Sequence, residues 1–269
     1  MNPAFSLDGQ VAVVTGSCGK LGPVWVEALL EAGATVAALD LPGAKASPAF
    51  AALEKTWDAR LARYDCNITD RASIEAACRA LTDAYGVPSI LVNNAGVDQA
   101  PDSGGSRNAI ENIPVEQFRT MVEVNLLGTL QMLQVVGGAM AAAGRGSIIN
   151  IGSLYASVSP DQRFYDHMPG NLPFLKTPAY GASKAAVVNM TKYFSTLWGR
   201  AGVRVNTLSP GGVLGGQDAD FKAKFGSRVP LGRMAEPADL KGPVVFLASS
   251  ASSYVTGHEL RVDGGFTAW

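Results

Sequence analysis

Apolar residues along the chain fall into short β-branched runs that alternate with stretches of helical periodicity. Val11-Ala12-Val13-Val14 has the pattern of a buried strand. It runs into Thr15-Gly16-Ser17-Cys18-Gly19-Lys20-Leu21-Gly22. Val24, Ala28, Leu29 and Ala32 then recur at helical spacing up to a stop at Gly33. Pro23 fits this helix start, because a first-turn proline lacks only a donor that has no partner there. Residues 34–39 read as a second strand ending on Asp40. Strand, glycine loop, helix and strand close within about 30 residues, as a dinucleotide-binding βαβ unit requires.

The alternation continues to the C-terminus. Residues 60–64 read as a third strand and 72–85 as a helix. Ile90-Leu91-Val92 is a buried strand that ends in Asn93-Asn94-Ala95-Gly96. Residues 98–112 are polar and rich in Gly and Asn, which predicts a loop. A long helix is expected over 114–143, a strand over 147–151 and a helix over 180–198. Val203 to Leu208 form a strand followed by Ser209-Pro210-Gly211-Gly212. A late helix over 238–247 and a strand over 258–262 ending at Asp263-Gly264-Gly265 complete the pattern. Strands separated by helices predict an α/β fold: one doubly wound, Rossmann-type parallel sheet with helices on both faces. No repeat and no linker divides the chain, so residues 1–269 are read as one catalytic domain.

Composition narrows the function classes. The chain has 269 residues, 47% hydrophobic and 17% charged, with a net charge of −1. Nucleic-acid and membrane-surface partners favour a strongly basic face, so neither is expected. Three cysteines (Cys18, Cys66, Cys78) and two histidines (His167, His258) lack metal-site spacing. No metal is expected, and three unpaired cysteines suit a reducing compartment. The first nine residues lack a basic region followed by an apolar run, and no stretch of about 18 uninterrupted apolar residues occurs. A cytoplasmic enzyme is the expectation.

The chemistry concentrates in Thr177-Pro178-Ala179-Tyr180-Gly181-Ala182-Ser183-Lys184. Tyr180 and Lys184 are four positions apart, so a helix places them as neighbours on one face. A tyrosine hydroxyl titrates near ~10 in isolation, and a neighbouring ammonium lowers that value. Such a pair suits acid–base catalysis near neutral pH. Gly16, Gly19 and Gly22 let the backbone approach a pyrophosphate at a helix N-terminus. Asp40, at the end of the second strand, can accept from ribose hydroxyls and repel a 2′-phosphate, which argues for NAD. Lys20 is the counter-argument for NADP, and Asp40 outweighs it.

These residues resemble the short-chain dehydrogenase/reductase family over nearly the whole chain. The resemblance rests on Thr15-Gly16…Gly19…Gly22, Asn93-Asn94-Ala95-Gly96, Asn125, Ser153, Tyr180…Lys184, Ser209-Pro210-Gly211 and Val262-Asp263-Gly264-Gly265. It implies Tyr180 as general acid in carbonyl reduction or base in alcohol oxidation. Lys184 would hold the nicotinamide ribose and lower the tyrosine's pKa. Ser153 would hydrogen-bond the substrate oxygen, and Asn125 would anchor a water in a relay to Lys184. Lys20, Leu21, Asn94, Ala95 and Gly96 would lie along the cofactor, Asn67 and Ile68 near the adenine, and Pro210, Gly211 and Val213 beside the nicotinamide. Asp263-Gly264-Gly265 is read as a turn.

Three departures from the family pattern stand out. Short members place their middle glycine where this chain has Lys20, and Gly19 instead gives the spacing of the longer sugar-nucleotide branch. The length and the Val-Asp-Gly-Gly ending favour the short branch. Ser153 and Tyr180 are 27 positions apart, roughly twice the usual interval. The extra residues, 157–177, include Pro160, Pro169, Pro173 and Pro178 alongside it, which predicts a semi-rigid loop over the site. Arg163 and His167 are the expected substrate contacts there, with Tyr155 just before the loop. Finally, no threonine follows Pro210-Gly211; Val213 is expected to substitute through its backbone. Glycines around Leu214 predict a hinged lid over about 213–230, with Phe221, Phe225 and Val229 closing over substrate or, by preference, packing the lid helix.

Several stretches are loosely similar to short-chain enzymes of surface-sugar and flagellin-glycan pathways and to sugar or polyol dehydrogenases. A secondary alcohol of a sugar-like, polyol or sugar-acid substrate, oxidised with NAD, is the expected reaction. An NADP-dependent reductase of an apolar ketone, a sugar-nucleotide epimerase or dehydratase with tightly bound NAD, and an idle NAD-binding scaffold are the alternatives. The resemblance also implies a homo-oligomer, dimer or tetramer.

Overall fold

The computed structural model describes residues 2–99, 109–168, 170, 172 and 174–269. Most of the expected 98–112 loop, and Pro169 and Pro173 of the 157–177 loop, lie outside the described residues.

Seven strands form one sheet: β1 (Val11–Thr15), β2 (Thr35–Asp40), β3 (Leu61–Asp65), β4 (Ile90–Asn93), β5 (Gly146–Ile151), β6 (Val203–Pro210) and β7 (Glu259–Val262). Every pairing is parallel, in the order β3-β2-β1-β4-β5-β6-β7. The order reverses between β1 and β4, where Val14 pairs with Ala38 on one side and Val92 on the other. Crevices outside the carboxyl ends of strands at such a switch point are where doubly wound sheets bind ligands.

The helices are α1 (Gly22–Glu31), α2 (Pro48–Thr56), α3 (Arg71–Tyr85), α4 (Val115–Ala142), α5 (Pro178–Trp198), α6 (Ala219–Arg228) and α7 (Lys241–Ala248). Strand alternation divides the core. Ala12, Val14, Val36 and Ala38 face Trp25, Leu29, Phe50 and Leu247, while Val13, Ala37, Leu91 and Ile148 face Ile74, Met132, Leu133 and Phe194. Helix α4 is long and apolar enough to cross a membrane by length and composition. In the fold its Met132, Leu133, Val136 and Met140 are fully buried in the second of these layers. It carries two π-helical stretches, Glu123–Gly128 and Leu133–Gly137.

Two elements differ from the sequence reading. Helix α2 was not expected; it is short, capped by Ser47 with Pro48 in its first turn, and buries only Phe50 and Leu53. The late helix starts as a 3₁₀ turn at Pro237–Leu240 before α7.

A third, smaller core lies over the strand ends. Phe164, Tyr165 and Phe174 of the long loop pack with Phe225 and Val229 of the lid region, Met234 and Phe266. Phe164 and Phe225 ring centroids are 5.5 Å apart, and Phe225 stacks on Phe266 at 4.9 Å. Phe225 and Val229 therefore pack α6 onto the loop, and Phe221 joins them partly buried. The C-terminal tail contributes Phe266 to the same core, while Trp269 stays exposed and donates to the Arg228 carbonyl.

Candidate active site

The glycine loop between β1 and α1 is shaped by contacts that only a missing side chain allows. Gly16 has a φ of 63°, and a Cβ on it would stand 2.7 Å from the Ala95 Cα. A Cβ on Gly19 would meet nothing closer than 3.3 Å, so the unusual glycine spacing does not force the loop's shape. Lys20 occupies the expected middle-glycine position with its side chain turned across the loop. A Cβ on Gly215 would come within 2.7 Å of the Lys20 Nζ. Lys20 thus reaches toward the lid segment at Gly215. Burial lowers its pKa, with Asp98 opposing.

A cavity of about 800 Å³ opens at the carboxyl ends of the central strands. Gly16, Gly19, Lys20 and Leu21 form its floor at the switch point. Asp40, Asn67 and Ile68 line one end, and Asn94, Ala95 and Gly96 its middle. Ser153, Tyr180, Lys184, Pro210, Gly211 and Val213 line the other. Gly22 belongs to α1 behind the loop.

The Asp40 carboxylate accepts from Cys18 N–H at 2.7 Å and Leu41 N–H at 2.8 Å, which fixes it at the strand end. Asn94 is a brace. Its Nδ2 donates to the carbonyls of Thr15 and Gly16, its backbone N–H donates to Thr15 Oγ1, and its Oδ1 accepts from Trp25 Nε1 at 2.7 Å. Trp25 is fully buried in α1 and, through this bond, ties α1 to the β4 exit. Asn67 accepts from Thr69, and Ile68 packs against Gly128 of α4. Asp263 accepts from Gly265, Thr267 N–H and Thr267 Oγ1, as a turn residue does.

Ser153 and Tyr180 meet despite their separation. Ser153 follows β5, and its Oγ accepts the Tyr155 N–H that caps the 3₁₀ turn Leu154–Ala156. Helix α5 starts at Pro178 with Thr177 as its N-cap, so Tyr180 lies in its first turn and Lys184 one turn on. Gly181 permits the approach, since a Cβ there would lie 2.8 Å from the Tyr155 carbonyl. Ser153 and Tyr180 both line the cavity, and the serine hydroxyl offsets part of the rise in the tyrosine's pKa. Lys184 Nζ donates to the Ile151 carbonyl at 2.8 Å and lies 5.9 Å from the Tyr180 ring centroid.

The electrostatics differ from the sequence expectation. Burial raises the Tyr180 pKa above its ordinary value, the Asp98 charge adds to this, and the Ser153 hydroxyl opposes it. Burial lowers Lys184 to about 8, with Asp98 opposing. The expected lowering of the tyrosine by Lys184 is therefore not what this environment produces; desolvation dominates. Asn125 is fully buried in the first π-helical stretch of α4. Its Nδ2 donates to Val97 O and Ser183 Oγ, and its Oδ1 accepts from Val97 N–H. This side chain joins the β4 exit to α5, and its Oδ1 keeps a second acceptor position.

The three expected substrate contacts lie outside the cavity lining. The Arg163 side chain is 78% exposed and pairs with Asp161 through two nitrogens. His167 bridges Asp218 and Lys224, tying the loop to α6. Burial raises the Tyr155 pKa, and Tyr165 beside it adds to the rise. The cavity instead takes Val97 and Asp98, and the loop's Lys176 stands behind them. Sequence reasoning passed over both Asp98 and Lys176.

A tight glycine turn facing a helix N-terminus, an acid at the end of β2 and a hydroxyl pair with a lysine at the far end define a nicotinamide-dependent hydride-transfer site. The comparisons agree with that class. A family model described as enoyl-(acyl carrier protein) reductase matches residues 21–267. D-threitol dehydrogenase of Mycolicibacterium smegmatis is 36% identical over 98% of this chain and 95% of its own length. A gluconate 5-dehydrogenase from Burkholderia cenocepacia, in complex with NADP and tartrate, superposes with a TM-score of 0.84 at 29% identity, covering 99% and 98% of the two chains. A short-chain dehydrogenase from Leptospira borgpetersenii with bound NAD+ superposes at 0.82 and 32% identity, covering 99% and 96%. The chain belongs to the short-chain dehydrogenase/reductase family, and it is an oxidoreductase.

Proposed function

We propose that the protein is an NAD-dependent dehydrogenase that oxidises a secondary alcohol of a polyol or sugar-like substrate to the ketone, and catalyses the reverse reduction. The observation that carries this is that Ser153, Tyr180 and Lys184 line the same cavity as Asp40 and the glycine loop. The residues fit a dinucleotide. Gly16 lets the loop pass close against Ala95, and the N-terminus of α1 behind it has no side-chain cap, as an anion-binding helix start requires. When bound, the nicotinamide supplies the hydride acceptor or donor.

The protein's own residues do the rest. Ser153 and Tyr180 present two hydroxyls to one substrate oxygen, where charge develops during the reaction. Tyr180 takes the alcohol proton in oxidation or returns it in reduction. Lys184, fixed by Ile151 O, supplies a cation at the tyrosine. Asn125 acts as a positioning residue by joining the Val97 backbone to Ser183. The likeness to a threitol dehydrogenase and a gluconate 5-dehydrogenase supports a polyhydroxylated substrate. Asp40 supports NAD, since a carboxylate held at the ribose end repels a 2′-phosphate. Lys45, which also lines that end, is the observation that favours NADP as a second reading.

Apolar side chains exposed on α4 and α5, including Val115, Phe118, Tyr193 and Leu197, support a homo-oligomer. The free, buried Cys18, Cys66 and Cys78 suit a reducing, cytoplasmic setting. The whole chain would then serve as one catalytic unit, with α6 and the 157–177 loop as a jointly packed cover.

The test is a panel of D-threitol, larger polyols, aldonates and apolar secondary alcohols with NAD and NADP, read at the NADH absorbance band. Turnover of a polyhydroxylated alcohol with NAD at higher kcat/KM than with NADP is the expected result. Denaturation of the purified protein releasing stoichiometric NAD would favour the epimerase alternative instead.

A further inference from the structure

Resting on the reading above, the next question is which polyhydroxylated class the site takes. Among the described residues, the cavity beyond Tyr180 presents one carboxylate, Asp98, which follows the Asn94–Gly96 segment. Its side chain is 43% exposed, while its partner Lys176 is only 5% exposed. Lys176 Nζ donates to Asp98 Oδ2 at 2.5 Å and to the Gln99 carbonyl at 2.9 Å. It also stands 5.5 Å from the Tyr180 ring centroid. Its backbone is clamped from both sides by the Gln162 amide. The long loop thus delivers one buried ammonium to the catalytic tyrosine and spends it on Asp98.

The result is asymmetric. The cation faces the protein, and the carboxylate edge faces the cavity. Asp98 Oδ1 accepts from Gln99 N–H, so each carboxylate oxygen has one protein donor and keeps a further acceptor position. The charge reaches the reaction centre: it shifts Tyr180, Lys184, Tyr155 and Lys20 in the same direction. Gln99 Oε1 is a second buried acceptor with no partner among the described residues. The free acceptor positions of Asp98 match a ligand made of hydroxyl donors, and a carboxylate ligand would meet the Asp98 charge. Of the lysines that line the cavity, Lys20 reaches toward Gly215 and Lys184 is held by the Ile151 carbonyl.

We propose that Asp98, held by Lys176, is a specificity-determining residue that accepts hydrogen bonds from substrate hydroxyls and restricts the enzyme to neutral polyols and ketoses over sugar acids. Lys176 is a positioning residue in this arrangement, and the 157–177 loop acts through it.

The experiment compares kcat/KM for neutral polyols, for gluconate and for cyclohexanol in the wild type, Asp98→Asn, Lys176→Gln and Lys176→Arg. The wild type is expected to prefer a polyol to gluconate by roughly 100-fold or more. Asp98→Asn is expected to lose roughly 10- to 100-fold on polyols, mostly in KM, since a charged acceptor is replaced by a neutral amide. Its gluconate rate rises or holds, so the preference narrows. Lys176→Gln narrows it likewise, and Lys176→Arg restores most of it. NADH binding followed by fluorescence confirms that each variant is folded. Equal use of gluconate and polyols by the wild type, or an unchanged preference in Asp98→Asn, overturns this inference alone. Turnover of cyclohexanol with neither polyhydroxylated class overturns the polyol reading and this inference with it.

Discussion

The ammonium of Lys184 donates to the carbonyl of Ile151, the last residue of β5, at 2.8 Å. This bond ties the second turn of α5 to the strand that leads into Ser153. It also buries a cation beside a phenol. Lys184 falls to about 8 and Tyr180 rises, each chiefly through desolvation. Alcohol oxidation must shed a proton through Tyr180, so a raised tyrosine favours oxidation at alkaline pH and reduction at lower pH. Oxidative kcat/KM is expected to climb up to and beyond about pH 10, and reductive kcat/KM to hold until the pH approaches the raised tyrosine value. Parallel pH profiles for the two directions would contradict this.

Gly181→Ala should separate chemistry from cofactor binding. The added Cβ would sit 2.8 Å from the Tyr155 carbonyl, so α5 must shift away from the Ser153 turn. A misplacement of this kind costs about 100-fold in kcat. The cavity's Asp40 end is distant from the change, so NADH affinity by fluorescence should stay within a few-fold. Loss of NADH binding with kcat retained would contradict the geometry.

Asp40→Ser tests cofactor choice. The wild type is expected to favour NAD over NADP in kcat/KM by at least about tenfold, and Asp40→Ser to lose most of that preference. The variant should also melt earlier, because the carboxylate holds the N–H groups of Cys18 and Leu41. An unchanged NAD/NADP ratio would assign the choice to another residue, Lys45 first.

Phe164→Ala tests the packed cover. Phe164 joins the long loop to Phe221, Phe225 and Phe266. Removing such a ring costs about 3–5 kcal/mol at the site. Substrate KM is expected to rise with little change in NADH affinity, since none of these rings touches the glycine loop. Equal loss of both affinities would mean that the cover and the cofactor site fold as one unit.

The sequence was legible where the signal is local. Tyr180 and Lys184 share a helix face because they are four residues apart, and the strand–glycine–helix opening needs no distant contact. The parallel sheet with helices on both faces followed from the alternation of strands with helices. Four other features were not legible, each for a physical reason. Helix α2 buries only two side chains, so its period is faint. Arg163 looked like a substrate contact, but Asp161 two residues earlier holds it in solvent. The tyrosine's pKa was read from its lysine neighbour, and burial, a tertiary property, proved larger. Asp98 and Lys176 are 78 positions apart, and only the folded loop brings them to Tyr180.

The most direct test of the whole account is NADH formation from a four-carbon polyol and NAD by the wild type and by Tyr180→Phe. The account predicts steady turnover by the wild type. The variant should lose roughly 100- to 10,000-fold in kcat while still binding NADH, because it lacks only the hydroxyl that moves the proton. Tyr180→Phe turning over at a rate near the wild type's would contradict it.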